Sequence, residues 1–275
     1  MLIKYLLALA ICIVLSVRVT IAAECQQDSF ATRLEHFKQE AIGVGISQQT
    51  IASSLNGLTY DPAIIARDHS QSVFQQSFEQ FSGRIVSPDR LRKGGYMLKR
   101  YGSILQRVED RYSVPGEVLV AIWGLESDYG VNQGKYSTLR SLATLAYDCR
   151  RSEKFHSELL DALRIIERGD LTATEMIGAW AGEIGQTQFL PSAYLKFAVD
   201  FEGTGRRDLI HSSLNALAST ANYLKNYGWG QAMDRRRHQF HCFREMERLC
   251  GLREDSCLFR GPACERTLTS DLLCG

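Results

Sequence analysis

The stretch VPGEVLVAIWGLESDYG, Val114 to Gly130, decides the reading of this chain. Ser113 and Pro115 open a helix: serine is a capping residue, and proline's fixed φ suits the first turn. From Val118 to Leu125 nearly every face is apolar, and a helix apolar all round belongs inside a fold. The run then stops at an acid, Glu126, followed by Ser127, Asp128, Tyr129 and Gly130. A carboxyl at the end of a buried helix loses hydration, which disfavours its charged form and raises its pKa. A raised carboxyl pKa is what a general acid needs near neutral pH. On spacing alone, a plain surface glutamate at a helix end is an equally open reading.

The flanks continue the helical pattern. Phe30, Leu34 and Phe37 recur at helical spacing, as do Leu98, Tyr101, Leu105 and Val108. SPDR, beginning at Ser87, predicts a helix start with a serine cap and a proline in the first turn. RSEKFHSELLDALRIIERGDL predicts an amphipathic helix whose inward face is Phe155, Leu159, Leu163 and Ile166, stopped at Gly169. LNALASTANYLKNYGW predicts another. Strand alternation is scarce, so the expected fold is mainly α.

A second stretch, GAWAGEIGQTQFLPSAYLKFAVDFEGTG, offers different chemistry. Gly182 and Gly185 permit close backbone approach. Gln186 and Gln188 bring amides, with Trp180, Phe189 and Tyr194 nearby. Aromatic faces and amides suit a sugar, which has apolar C–H faces and hydroxyl edges. A tight turn with ordinary core aromatics fits the same pattern.

The chain has 275 residues, 45% of them hydrophobic, and a net charge of +1. That charge provides no strong field toward nucleic acid. Lys4, an apolar run from Tyr5 to Val17, and Ala22–Ala23 form the layout of a secretory signal peptide. The run is short for a membrane span. Export to the periplasm is expected, with tethering by an uncleaved N-terminus as the alternative. Five of the eight cysteines, Cys242, Cys250, Cys257, Cys264 and Cys274, crowd the tail.

VPGEVLVAIWGLESDYG, SLATLAYDCRRSEKF, AGEIGQTQFLPSAYLKFAVDFEGTGRRDLI and ANYLKNYGW together resemble the lytic murein transglycosylases of the membrane-bound B type (glycoside hydrolase family 103-like), from about Phe30 to Trp229. The resemblance implies a lysozyme-like helical domain that cleaves the MurNAc–GlcNAc β-1,4 bond of peptidoglycan and leaves 1,6-anhydroMurNAc ends. It makes Glu126 the single catalytic residue, first acid and then base. Glycosidases that pair two carboxylates need a second one across the bond. Asp128 is only two positions on, so a helix points it elsewhere, and Glu183 is the other candidate.

The resemblance implies substrate-binding positions at Ser127, Gln186, Gln188, Tyr194, Asn222 and Tyr223, with Ser127 in support. It makes Cys25–Cys149 a plausible disulfide. It implies no cofactor and no metal, a glycan-strand partner, no nucleic-acid partner, no stable membrane insertion after signal removal, and a monomer. The expected organisation is a signal peptide at 1–23, an N-terminal helical region at 24–95, a catalytic domain at 96–230 and an atypical Cys-rich tail at 231–275. We read that tail as disordered and as the product of a one-base frameshift. A hydrolytic muramidase and a wall-binding protein without turnover are the rival functions.

Some relatives carry an EF-hand-like calcium loop where this chain reads DFEGTGRRD. Asp200, Glu202 and Gly205 suit the first, third and sixth positions of such a loop. Thr204 and His211 stand where acids are wanted, so a structural loop without a tight metal site is expected.

Overall fold

The computed structural model describes residues 28–70 and 77–230. The expected signal peptide, Cys25 and the Cys-rich tail lie outside the described residues. Among those described, eleven helices and one two-stranded sheet follow in order. They are α1 (Phe30–Gly43), α2 (Gln48–Leu55), α3 (Pro62–His69), α4 (Phe78–Ile85), α5 (Pro88–Arg100), α6 (Gly102–Tyr112), α7 (Gly116–Ser127), β1 (Tyr136–Ser137), α8 (Thr138–Tyr147), α9 (Ser152–Glu167), β2 (Ile177–Gly178), α10 (Pro191–Phe197) and α11 (Ser213–Asn226). The mainly α expectation holds. No described helix is long and apolar enough to cross a membrane.

Two compact units interleave along the sequence instead of dividing at residue 95. The first gathers the described residues up to 70 with 134–184 and 189–195. Four of its helices start on side-chain caps: Ser29, Ser47, Asp61 and Ser137 each accept a backbone N–H of the first turn. Antiparallel pairing sets Tyr136 against Gly178 and Ser137 against Ile177. Phe155, Leu159 and Leu163 of α9 are buried as expected, but Ile165 takes the inward place read for Ile166. The face is rotated because Glu158 is buried too: its carboxylate accepts from Ser192 N at 2.9 Å and Ser192 Oγ at 2.7 Å, at the start of α10. A buried acid bonded at a helix start has its charge compensated there. Asp68, 1% exposed, is likewise paired with Arg150 and Arg151.

The second unit gathers residues 77–133, 185–188 and 196–230. Helix α7 is its centre, burying Gly116, Val118, Leu119, Val120, Trp123, Gly124 and Ser127. Leu105 and Val108 of α6 and Leu217, Ala218 and Ala221 of α11 share its core. Truncating a buried tryptophan such as Trp123 to alanine costs about 3–5 kcal/mol. Ser87 and Pro88 start α5 as expected.

Two local expectations are corrected in this unit. The apolar pattern from Leu98 to Val108 is broken at Tyr101, whose ring packs edge-on to Trp123 with centroids 5.3 Å apart. Ser113 does not cap α7; it ends α6 in the left-handed conformation, at φ 60, and α7 starts at Pro115 without a side-chain cap.

Candidate active site

Helix α7 delivers Glu126 one residue before its end. The core-facing row of α7 runs through Leu119, Val120, Trp123, Gly124 and Ser127. Glu126 lies about 100° round the helix from Ser127, and its side chain is exposed. This corrects the expectation of a dehydrated acid. The helix is buried, but its final turn points this position outward.

The chain after Glu126 is held in an uncommon conformation. Asp128 and Tyr129 are both left-handed, at φ 50 and 62, as is Gln188 at φ 53. Only four described residues other than glycine have positive φ, and three of them are these. Such strain persists where surrounding contacts over-determine it, and it concentrates at functional sites. Those contacts are visible. Tyr129 donates its hydroxyl to Arg90 O at 2.7 Å and packs edge-on to Trp123 with centroids 5.7 Å apart. Asp128 pairs with Lys93 Nζ at 3.0 Å and lies 3.7 Å from Arg90 Nε. Its hydrogen bond and charge hold the Lys93 ammonium above its ordinary pKa. Asp128 is therefore committed to two cations.

Ser127 and Gln186 lock the two segments of this unit together. Ser127 Oγ donates to Gln186 O and accepts Gly130 N at 2.9 Å. The Gln186 amide donates to Ile210 O at 3.0 Å and accepts from Ser213 Oγ at 3.1 Å. Ser127 is 1% exposed and Gln186 4%. Buried and hydrogen-bonded within the unit, they have no free face for a sugar. Gly185 has φ +81, and a Cβ there would sit 2.7 Å from Leu209 O, so the close approach read from the sequence is real.

Gln188 is different. Its amide nitrogen donates to Gly185 O at 2.9 Å and Gln133 O at 3.2 Å. Its side-chain oxygen accepts no hydrogen bond among the described residues, so an acceptor is left for a hydroxyl or amide of a ligand. Asn222 is engaged: it donates to Phe197 O at 2.9 Å and accepts from Asn226 Nδ2 at 3.1 Å. Tyr223 is half-buried, and burial followed by its hydrogen-bonded neighbour Tyr227 pushes its hydroxyl pKa up.

In the other unit Tyr194 is 0% exposed, which leaves it no surface to offer a sugar. Glu183 there is the carboxyl whose pKa is raised. Burial is the main cause, opposed by the amides of Glu183 and Ala181 and by the charges of Lys154 and Arg151. Its Oε2 is buried without a hydrogen-bond partner among the described residues. Gly182, at φ +96, brings its backbone against Leu142 in the same unit.

Residues 29–243 match the transglycosylase SLT domain family. The chain belongs to that family. The match runs beyond Trp229, where the resemblance read from the motifs ends. The chain is 35% identical over 151 residues to membrane-bound lytic murein transglycosylase B of Escherichia coli (strain K12), covering 54% of this chain and 42% of that protein. Among solved structures it is similar to SltB3 from Pseudomonas aeruginosa in complex with NAG-anhNAM-pentapeptide. The identity is 45% and the TM-score 0.71, over 74% of this chain and 54% of that one. It is also similar to the E. coli lytic transglycosylase Slt35 in complex with calcium, at 29% identity and TM-score 0.66, over 71% and 63%. These relatives place it with the B-type members, and it spans about half the length of the first two.

The calcium carried by that Slt35 structure calls for a test of the DFEGTGRRD loop. Asp200 spends Oδ1 on the amides of Gly203 and Thr204, at 2.9 and 3.0 Å, and Oδ2 on that of Gly205 at 2.6 Å. Asn215 Nδ2 and Thr204 Oγ1 both donate to Arg206 O, the seventh-position carbonyl, at 3.3 Å. His211 stands at the twelfth position, paired with Asp208 at 2.9 Å. An EF-hand needs a bidentate acid there and free oxygens at the others. The residues of this loop do not fit calcium.

Proposed function

We propose that the chain is an exported lytic transglycosylase that cleaves the MurNAc–GlcNAc β-1,4 bond of peptidoglycan and leaves 1,6-anhydroMurNAc ends. The observation that carries this is the end of α7: Glu126 projects outward from a buried, strained and braced turn, while the neighbouring Asp128 is tied to Lys93 and Arg90. An outward-facing carboxylate beside one already tied to two cations suits a route that needs only one. Glu126 gives its proton to the bridging oxygen as the C1–O bond breaks. It then takes the proton of the MurNAc C6 hydroxyl, whose oxygen closes on C1. A bound strand covering Glu126 would remove its water and favour the protonated form that the first step requires.

Gln188 offers its side-chain oxygen to the strand, and the partly exposed Tyr223 offers its ring. Ser127, Gln186 and Asn222 act by positioning. Export and a Cys25–Cys149 bridge belong to the same reading. Relatives crystallised with peptidoglycan fragments support a glycan substrate. The exposure of Glu126 also favours one rival, a hydrolytic muramidase, since water reaches the carboxylate freely. Glu126→Gln tests the assignment. Sacculus clearance is expected to vanish while sacculus binding persists; equal clearance by both proteins refutes it.

A further inference from the structure

The end of helix α11 carries a row of rings that continues past Tyr223. Phe197 lies at the base, 3% exposed. Tyr223 packs edge-on against it, with centroids 5.0 Å apart at 77°. Tyr227 lies 5.6 Å from Phe197 and 4.5 Å from Tyr223, tilted only 33° from the latter. Tyr223 and Tyr227 are four residues apart, neighbours on one face of a helix, with a rise of roughly 6 Å between them. Yet Tyr227 is 67% exposed. With Tyr223 stacked on one side of the ring, that exposure leaves much of Tyr227 open to solvent.

Exposed large aromatics are costly to hydrate, and this one is held fast. Its ring is stacked on Tyr223, and the helix is closed by its own N–H bonding to the carbonyls of Tyr223 and Lys225. A flat ring fixed in advance loses little entropy when a ligand covers it, and tyrosine adds a polar edge to an apolar face. The side-chain amide of Asn226, exposed on the preceding position, is itself held by Asn222. A platform of one open aromatic face with amide and hydroxyl edges matches a pyranose ring.

We infer that Tyr227 is a sugar-stacking residue that extends the glycan site one ring beyond Tyr223 along α11, so that longer strands are held more tightly than short fragments. The inference rests on the proposed function for the identity of the strand. The two ring centroids lie 4.5 Å apart in one stack, so a strand that passes the open edge of Tyr223 meets the outer side of Tyr227 next. The occupant is thus a glycan strand continuous with the one at Tyr223.

The test measures retention of the full chain on insoluble sacculi, carried out in the Glu126→Gln background so that turnover does not consume the ligand. Tyr227→Ala is expected to weaken retention about five- to tenfold, or roughly 1 to 1.4 kcal/mol. Tyr227→Phe and Tyr227→Trp, which keep a ring, are expected to retain most of it. Thermal melting of each variant separates stacking from folding, since Tyr227 is largely exposed. Wild-type retention by Tyr227→Ala overturns the inference. So does a Tyr227→Phe variant as weak as the alanine variant, which would assign the effect to the hydroxyl. A lowered melting temperature accompanying all three losses also overturns it. If Glu126→Gln itself still clears sacculi, the catalytic assignment fails instead, and retention at Tyr227 is then read on ice, before clearance begins.

Discussion

Ser127 makes the strongest local prediction, because its hydroxyl joins the end of α7 to the segment carrying Gln186. It is 1% exposed. In Ser127→Ala, Gln186 O and Gly130 N lose the partner that now donates to one and accepts from the other. An unmade hydrogen bond at a buried group costs about 1–3 kcal/mol, so a loss of about 2 kcal/mol is expected. For a protein of this size that is a fall in Tm of about 4–8 °C. Glu126 is the adjacent residue, and a misplaced catalytic group can cost about a hundredfold in rate; kcat is therefore expected to drop while sacculus binding changes little. Thermal unfolding followed by circular dichroism, with release of soluble muropeptides, measures both. Ser157→Ala is the comparator: its exposed hydroxyl donates to Glu153 O at 3.1 Å, and its effect is expected within about 0.5 kcal/mol. A Ser127→Ala protein that melts within about 1 °C of wild type and turns over normally would refute the idea that this bond holds the site.

Two other groups make predictions through pH and metal. Glu183 has a folded pKa above its ordinary 4.5, so the folded state keeps a proton that the unfolded chain releases. Stability from this group is intact below that ordinary value and falls as pH rises through the folded pKa. Glu183→Gln is accordingly expected to melt higher than wild type at pH 7 and about level with it at pH 4; a lower melt at pH 7 would count against this. At Asp200 burial pushes the pKa up, but the amides of Thr204, Gly205 and Gly203 and the Thr204 hydroxyl outweigh it and hold the carboxyl low. Its contribution is present above the ordinary aspartate value of 3.8 and is lost as pH falls through the folded pKa. Because that carboxylate already bonds three backbone amides, millimolar calcium or a chelator is expected to leave Tm unchanged. A rise with calcium would show that the loop opens to take the ion.

Much of this was legible in the sequence, and the misses share one cause. Helix α7 could be read from an apolar run, and α5 from Ser87 and Pro88, because those signals are local. Tyr101 and Ser113 were misread because the reasons for their conformations lie elsewhere. Trp123 packs on Tyr101, and Ser113 ends one helix where the residue types suggested the start of the next. The burial of Glu158 depends on Ser192, 34 positions away, which supplies its partners. The same limit applied at the site. Residue type marked Glu126 and the two glutamines, but it could not tell that Gln186 is buried and spent while Gln188 keeps a free acceptor. Nor could it tell that the last turn of α7 aims Glu126 at solvent. The Asp128–Lys93 pair spans 35 positions, and no spacing rule reaches that far.

Mass spectrometry of the muropeptides released from purified sacculi tests the central claim most directly. Anhydro ends, each lighter by one water than its hydrolysed counterpart, are expected from the wild-type chain and not from Glu126→Gln. Hydrated reducing ends, or the same anhydro products from both proteins, would contradict it.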